Sequence, residues 1–308
     1  MNITYDKKRK DITFCTMLFQ IPQKDLDKLK HMERKFEQFY LPSLKKLIET
    51  FGRVALWCDY QTAEYIKANK LSKYVHMRII NFSELPHMPE RQLWLSTLHN
   101  MRKYRGYLLH HKTPEQWIDY MMVINAKPSV MEWAASENKF KTKYFMWIDA
   151  GSFHPMYKSF WDNWNGTIAA KPQGRVRITT SITMGKTRPN FVPRFIYDIY
   201  KQFCPKIQNA TRESLVRQNI KDIAMINADY DVPACSMLME TDIVHKFYDS
   251  FERTRKILLR HNLVSTEQAV FQAMMKFDTE QLFEISYING YRGVYAGVAK
   301  SDPDYILN

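Results

Sequence analysis

Two hydrophobic periods alternate along this chain. Short runs that are apolar at most positions occupy 13–19, 53–58, 75–80 and 144–148. Runs of that length, rich in β-branched and aromatic residues, predict strands. Tyr144-Phe145-Met146-Trp147-Ile148, apolar throughout, predicts a strand buried on both faces of a mostly parallel sheet. Between the runs the spacing changes to 3.6. Leu26, Leu29, Met32 and Phe36 predict a charged amphipathic helix. A break is expected at Leu41-Pro42, followed by helices over 44–51, 62–70, 89–104 and 114–124, and by one over 128–138 that opens on Pro128. The second half is less regular. Strands are expected at 166–171, 176–181, 223–228, 234–239 and 282–287, with helices over 242–261 and from the Ser265/Thr266 cap to 275. Strands alternating with helices predict an α/β fold whose mostly parallel central sheet has helices on both faces. No linker interrupts the chain. The expectation is one domain, with a nucleotide-binding lobe over about 11–151 and an acceptor-binding lobe over about 152–308.

Composition agrees with a globular chain. Of 308 residues, 45% are hydrophobic and 14% aromatic, enough for a large core, and the 13 prolines and 9 glycines are scattered rather than clustered. Cys15, Cys58, Cys204 and Cys235 form no CxxC pair, which reads as free thiols in a reducing compartment. No stretch has the ~20 apolar residues of a bilayer span. The run after Lys7-Lys8-Arg9-Lys10 is too short for a signal peptide. A cytoplasmic location is therefore expected. The formal net charge of +13 favours anionic ligands: nucleotides, nucleic acid or an anionic membrane surface. The dispersed charge, without a helix-turn-helix, RRM-like or zinc signature, argues against nucleic acid. Peripheral membrane contact stays compatible.

Candidate chemistry gathers at strand ends. Asp59 and Asp149 each close a strand, and in a parallel sheet both fall at the carboxyl edge, where ligands bind. Two carboxylates there suit a ribose or base and a metal-diphosphate; equally, each can cap the turn that follows. Gly151 would let a ligand approach the backbone. Glu267 opens a helix, where a carboxylate also favours the dipole. Its functional reading is a general base or a sugar-positioning group, and Gln268 adds neutral hydrogen-bonding groups suited to sugar hydroxyls. Arg292, between Gly290 and Gly293, suits a diphosphate clamp. P-loop, GxGxxG, HExxH and GxSxG motifs are missing from the sequence.

The segment from Tyr144 to Gly151 resembles the YFxWIDAG signature of the HtrL/YibB/WlaTC-type family, read as glycosyltransferases of the GT-A fold. The resemblance extends to the first strand, the second strand ending in Asp59, Ala126-Lys127-Pro128 and Thr266-Glu267-Gln268, and so spans about 13–287. It implies a GT-A-like, Rossmann-like sheet with a smaller acceptor-side mixed sheet. It further implies transfer of a sugar from a UDP- or GDP-sugar donor to a glycan hydroxyl. Asp149 would take the first place of a DxD-like motif and hold Mn²⁺ or Mg²⁺, or contact the sugar without metal. Asp59 would lie near the nucleoside, Lys127 near the ribose or diphosphate, and Glu267 under the acceptor or transferred sugar. Ala234, Cys235 and Ser236 would line the acceptor side. Two departures stand out: Gly151 replaces the second carboxylate of the motif, and Pro233-Ala234-Cys235-Ser236 replaces a glycine-rich acceptor loop. The first keeps open a catalytically inactive sugar-nucleotide- or glycan-binding protein of the same fold.

Overall fold

Strand β1 (Ile12–Leu18) is buried at all seven positions, and β2 (Val54–Cys58) and β4 (Tyr144–Ile148) at all five. Continuous burial of this kind requires cover on both faces, as a helix-flanked parallel sheet gives. The computed structural model describes residues 11–21, 36–102, 113–153, 174–181, 236–260, 262–264, 266–276 and 282–288. Within them lie β3 (Val75–Ile79), β5 (Val176–Ser181), β6 (Ser236–Glu240) and β7 (Phe283–Ile288). All seven strands form one sheet in the order β3-β2-β1-β4-β6-β5-β7. β1 pairs in parallel with β2 and β4, β2 with β3, and β5 with β7. β6 runs against both β4 and β5. This is the expected α/β architecture, a mostly parallel sheet flanked by helices. The mixed acceptor-side part is not a separate sheet among the described residues; it is the β6-β5-β7 end of the same one.

Period-two alternation divides the strand residues between two cores. Cys15, Met17, Ala55, Trp57, Phe145, Trp147, Met237 and Met239 face α5 (Lys127–Glu137) and α6 (Thr241–Arg260). Ile12, Phe14, Val54, Leu56, Met146 and Ile148 face α1 (Leu41–Phe51) and α2 (Tyr60–Ala68). A third core joins α3 (Arg91–Arg102) to α4 (Pro114–Asn125) through Trp94, Leu98, Ile118 and Met122. The last helix, α7 (Glu267–Lys276), supplies Phe271, which stacks near Phe247 and Phe251 of α6. Cys15 and Cys58 are buried free thiols; burial pushes the Cys58 thiol up to about 12.

Local signals explain most boundaries. Leu41-Pro42 is not a break: Pro42 sits in the first turn of α1, where its missing N–H costs no hydrogen bond. α1 ends at Gly52, whose φ of 69° lets its N–H reach the Ile48 carbonyl. A π-helical turn, Phe36–Tyr40, leads into α1. The threonines at the foot of the central strands, Thr13 and Thr142, share a 2.6 Å hydrogen bond across 129 residues of sequence. A buried polar network ties the turn before α3 to α6. The Arg255 guanidinium donates to Glu90 and Glu252, and His87 stacks on Trp94 with its Nε2 3.2 Å from the Asn125 carbonyl. The helix carrying Leu26, Leu29 and Met32, and the strands expected at 166–171 and 223–228, lie outside the described residues. Among the described residues no helix is long and apolar enough to cross a membrane.

Candidate functional site

Because β1, β2 and β4 are parallel, Asp59 and Asp149 emerge at the same sheet edge. Ser236, which begins the reversed strand β6, pairs with Ile148 and so lies at that edge too, buried. The first residues of α5 and α7 bring Lys127 and Glu267 to the same place.

Lys127 joins the two helices to the strand. Its Nζ lies 3.0 Å from Asp149 Oδ1 and 2.7 Å from Glu267 Oε1. The Lys127 and Glu267 side chains are only 6% and 4% exposed, whereas Asp149 keeps 39% of its side chain open to solvent. A cation at the first position of a helix is opposed by the helix dipole. The two carboxylates offset that. Burial alone would lower the Lys127 ammonium, but Asp149 and Glu267 outweigh it and hold it above the ordinary lysine range. Burial raises Glu267, while Lys127 pulls it down and Asp149 pushes it up; the net direction is upward. Glu267 Oε2 is buried and has no hydrogen-bond partner among the described residues.

Asp149 is oriented from below. Trp147, two residues earlier on the same face, donates its indole N–H to Asp149 Oδ1 at 2.7 Å, and the Lys127 ammonium lies 5.6 Å from the Trp147 ring centre. After Asp149 the chain turns tightly, Ser152 N–H bonding the Asp149 carbonyl at 2.9 Å. Gly151 is closely packed there. A Cβ at that position would stand 3.2 Å from Phe39 Cε1 and 3.3 Å from Tyr40 Cε1, so the aromatic turn before α1 would have to give by a few tenths of an ångström to admit a side chain.

Asp59 has a different environment. Its Oδ1 accepts from Thr62 N–H at 2.8 Å as the N-cap of α2, and its Oδ2 accepts from Gln20 N–H at 2.6 Å. It fastens the end of β1 to the start of α2. Gln268 follows Glu267 in the first turn of α7 and is half-buried. Arg292, Ala234 and Cys235 lie outside the described residues. The structure thus joins Asp149, Lys127 and Glu267 in one contact and holds Asp59 apart in a cap. Tyr120 of α4 was not singled out by sequence. Burial, Glu267, Tyr40 and Asp149 raise its phenol while Lys127 lowers it, so it belongs to the same electrostatic group. Nothing in its local sequence separates it from a core tyrosine.

Hard cations such as Mn²⁺ and Mg²⁺ need several oxygen donors. Here Asp149 Oδ1 already accepts from an indole and an ammonium, glycine stands at 151, and Glu267 Oε1 is held by the same ammonium. No group of three or more His, Cys, Asp and Glu side chains suited to a metal occurs among the described residues. Among the described residues the donor set does not fit a divalent cation at Asp149.

Residues 10–191 match the family model HtrL_YibB, described as a bacterial protein of unknown function. That match contains Asp59, Lys127, Asp149 and Gly151; Glu267 lies beyond it. No curated protein matches the chain. Two solved structures are similar to it at low identity. One is mouse xyloside xylosyltransferase 1 in its apo form: 10% identity, 90% of this chain and 85% of that chain covered, TM-score 0.31. The other is 4-diphosphocytidyl-2C-methyl-D-erythritol synthase from Anaerococcus prevotii DSM 20548: 8% identity, 98% and 96% covered, TM-score 0.33. At these scores neither likeness carries functional weight.

Proposed function

Since the chain belongs to the HtrL_YibB family, of unknown function, we propose from its site that it is a glycosyltransferase, moving a sugar from a UDP- or GDP-sugar to a hydroxyl of a glycan. The observation that carries this reading is Glu267, a buried carboxylate with one oxygen gripped by Lys127 and the other without a partner among the described residues, beside the half-open carboxylate of Asp149. An unpartnered buried carboxylate oxygen is costly unless a ligand supplies a donor. Sugar and acceptor hydroxyls are such donors.

In the inverting form of the reaction the acceptor oxygen bonds to the anomeric carbon as the bond from that carbon to the diphosphate oxygen breaks. The acceptor proton passes to Glu267 Oε2, and the nucleoside diphosphate leaves with the bonding pair. A carboxyl whose affinity for protons is raised by burial suits this task near neutral pH. In the retaining form Glu267 positions or stabilises the sugar instead. In both, Lys127 fixes the Glu267 rotamer, and the open part of Asp149 accepts from a sugar hydroxyl. Asp59 would serve by holding the nucleoside end of the edge in shape, and Arg292 by meeting the diphosphate.

The test is nucleoside phosphate release from a panel of UDP-, GDP- and CMP-sugars by wild type, Asp149→Ala and Glu267→Gln. Release from one donor class, lost in both variants, is the expected result. Binding of a sugar nucleotide without release in the presence of mixed glycan acceptors would instead favour a binding protein of the same fold. Neither binding nor release from any donor would overturn the reading.

A further inference from the structure

We propose that the ammonium of Lys127 takes the place of a divalent cation in this site, so that the sugar nucleotide binds and reacts without metal. This rests on the functional reading above. Two carboxylates at one edge, Asp149 and Glu267, would ordinarily create a cation site and repel an anionic donor. Here the cation is built into the chain. Lys127 Nζ lies between them, 3.0 Å from one and 2.7 Å from the other, and is sealed from solvent. It uses the Asp149 oxygen that the Trp147 indole also contacts, so a metal approaching Asp149 would meet a fixed positive charge about one ligand radius away.

The sequence change at the motif has the same sense. A second carboxylate at 151 would crowd the Phe39 and Tyr40 rings, which lie 3.2 and 3.3 Å from where its Cβ would stand. The donor's remaining negative charge then falls to the chain's own cations, present in a formal excess of 13. Among the described residues a divalent metal has no ligand set.

Three measurements test this on the full chain: Mn²⁺ binding to the protein alone by electron paramagnetic resonance, nucleotide affinity by calorimetry in EDTA and in Mn²⁺, and thermal stability of variants with Mn²⁺. Wild type is expected to sequester no stoichiometric Mn²⁺, and its affinity for the donor nucleotide to change by less than about twofold between the two conditions. Lys127→Ser leaves two carboxylates without a counter-charge and should acquire what wild type lacks, a Mn²⁺-dependent rise in Tm that Asp149→Asn abolishes. One equivalent of Mn²⁺ bound by wild type and lost in Asp149→Asn would overturn the inference. So would a tightening of nucleotide by Mn²⁺ of about tenfold or more that the same variant removes. Should Lys127→Ser not fold, the wild-type and Asp149→Asn comparison decides alone. Nucleotide binding that requires metal sinks this inference but not the transferase reading; no binding under either condition sinks both.

Discussion

Replacing Lys127 by methionine keeps most of the length of the side chain and deletes its charge. The change leaves Glu267 buried beside Asp149 without the ammonium that pairs with both, and with no other counter-ion among the described residues. At an effective dielectric of about 20, the gross attraction over 2.7 and 3.0 Å is roughly 6 kcal/mol for each carboxylate. The Asp149 share is heavily discounted, because that side chain is 39% exposed and solvent screens it. Much of the Glu267 share offsets the desolvation of both partners. What remains is the penalty for stranding a buried carboxylate, about 3–5 kcal/mol. Its pH dependence is distinctive. Lys127 lowers Glu267, so in the variant the Glu267 carboxyl rises further and becomes protonated at a higher pH. A raised acid favours the fold where it is protonated. The destabilisation is therefore full above the raised Glu267 value. It shrinks as pH falls from there toward the wild-type Glu267 value, itself above the ordinary glutamate range, by up to about 1.4 kcal/mol per pH unit. Urea unfolding of wild type and Lys127→Met from pH 8 to pH 5, with m-values compared, measures this. A difference below about 1 kcal/mol that stays flat across that range would refute the reasoning, since it would mean the pair is solvated rather than buried.

Three further outcomes follow from the same geometry. Asp59→Ala removes the α2 cap and the Gln20 contact and should cost about 1–2 kcal/mol in urea melts; an unchanged midpoint would mean that neither bond matters. Gly151→Ala pushes a Cβ against Phe39 and Tyr40 and should cost about 1–3 kcal/mol, read as a lower Tm, with Phe39→Leu expected to relieve part of it. His87 is held below the ordinary histidine range first by burial and then by Arg255, against the opposing pull of Glu252 and Glu90. Its neutral form fits the fold, so stability should fall as pH drops below about 6.5, by up to about 1.4 kcal/mol per unit for one proton. His87→Gln should flatten that slope, and an equal slope in both proteins would exclude His87 as its source.

The parts of this molecule that could be read from sequence are those that periodicity encodes. Tyr144 to Ile148 is apolar at every position and is a central strand covered on both faces; Val176–Ser181 matches its predicted bounds. Direction and neighbourhood are not encoded that way. Nothing in Ser236 to Glu240 says that this strand runs backwards between β4 and β5, because an apolar run has the same pattern in either sense. Leu41-Pro42 misled for a related reason: proline stops a helix from inside but starts one at its first turn. At the site, Asp149 and Glu267 were visible as carboxylates at a strand end and a helix start. Their shared partner was visible only through the family resemblance. A lysine ahead of Pro128 at a helix start, against the dipole, was nonetheless a physical hint that carboxylates stood nearby. Sequence offers Gly151 only as room for a ligand; the crowding of its Cβ position by Phe39 and Tyr40 is a second reason for glycine there. That contact is tertiary and leaves no trace in local sequence.

The hydrogen bond between Thr13 and Thr142, made across 129 residues, bears on how the chain reaches its native state. The first and fourth strands are neighbours, so the centre of the sheet forms only after a long stretch of chain has been closed. Loop-closure entropy grows slowly with length, but non-local pairings of this kind slow folding markedly. Lys127 and Asp149 lie on the consecutive elements α5 and β4, so their contact is comparatively local. Glu267 joins only when the reversed strand and the C-terminal helices have docked. A partly folded chain could therefore hold the lysine–aspartate pair while lacking the glutamate, and in refolding kinetics secondary structure should return before this three-residue contact is complete. On that order, completion of the site is a late event, governed by the most distant segment of the chain.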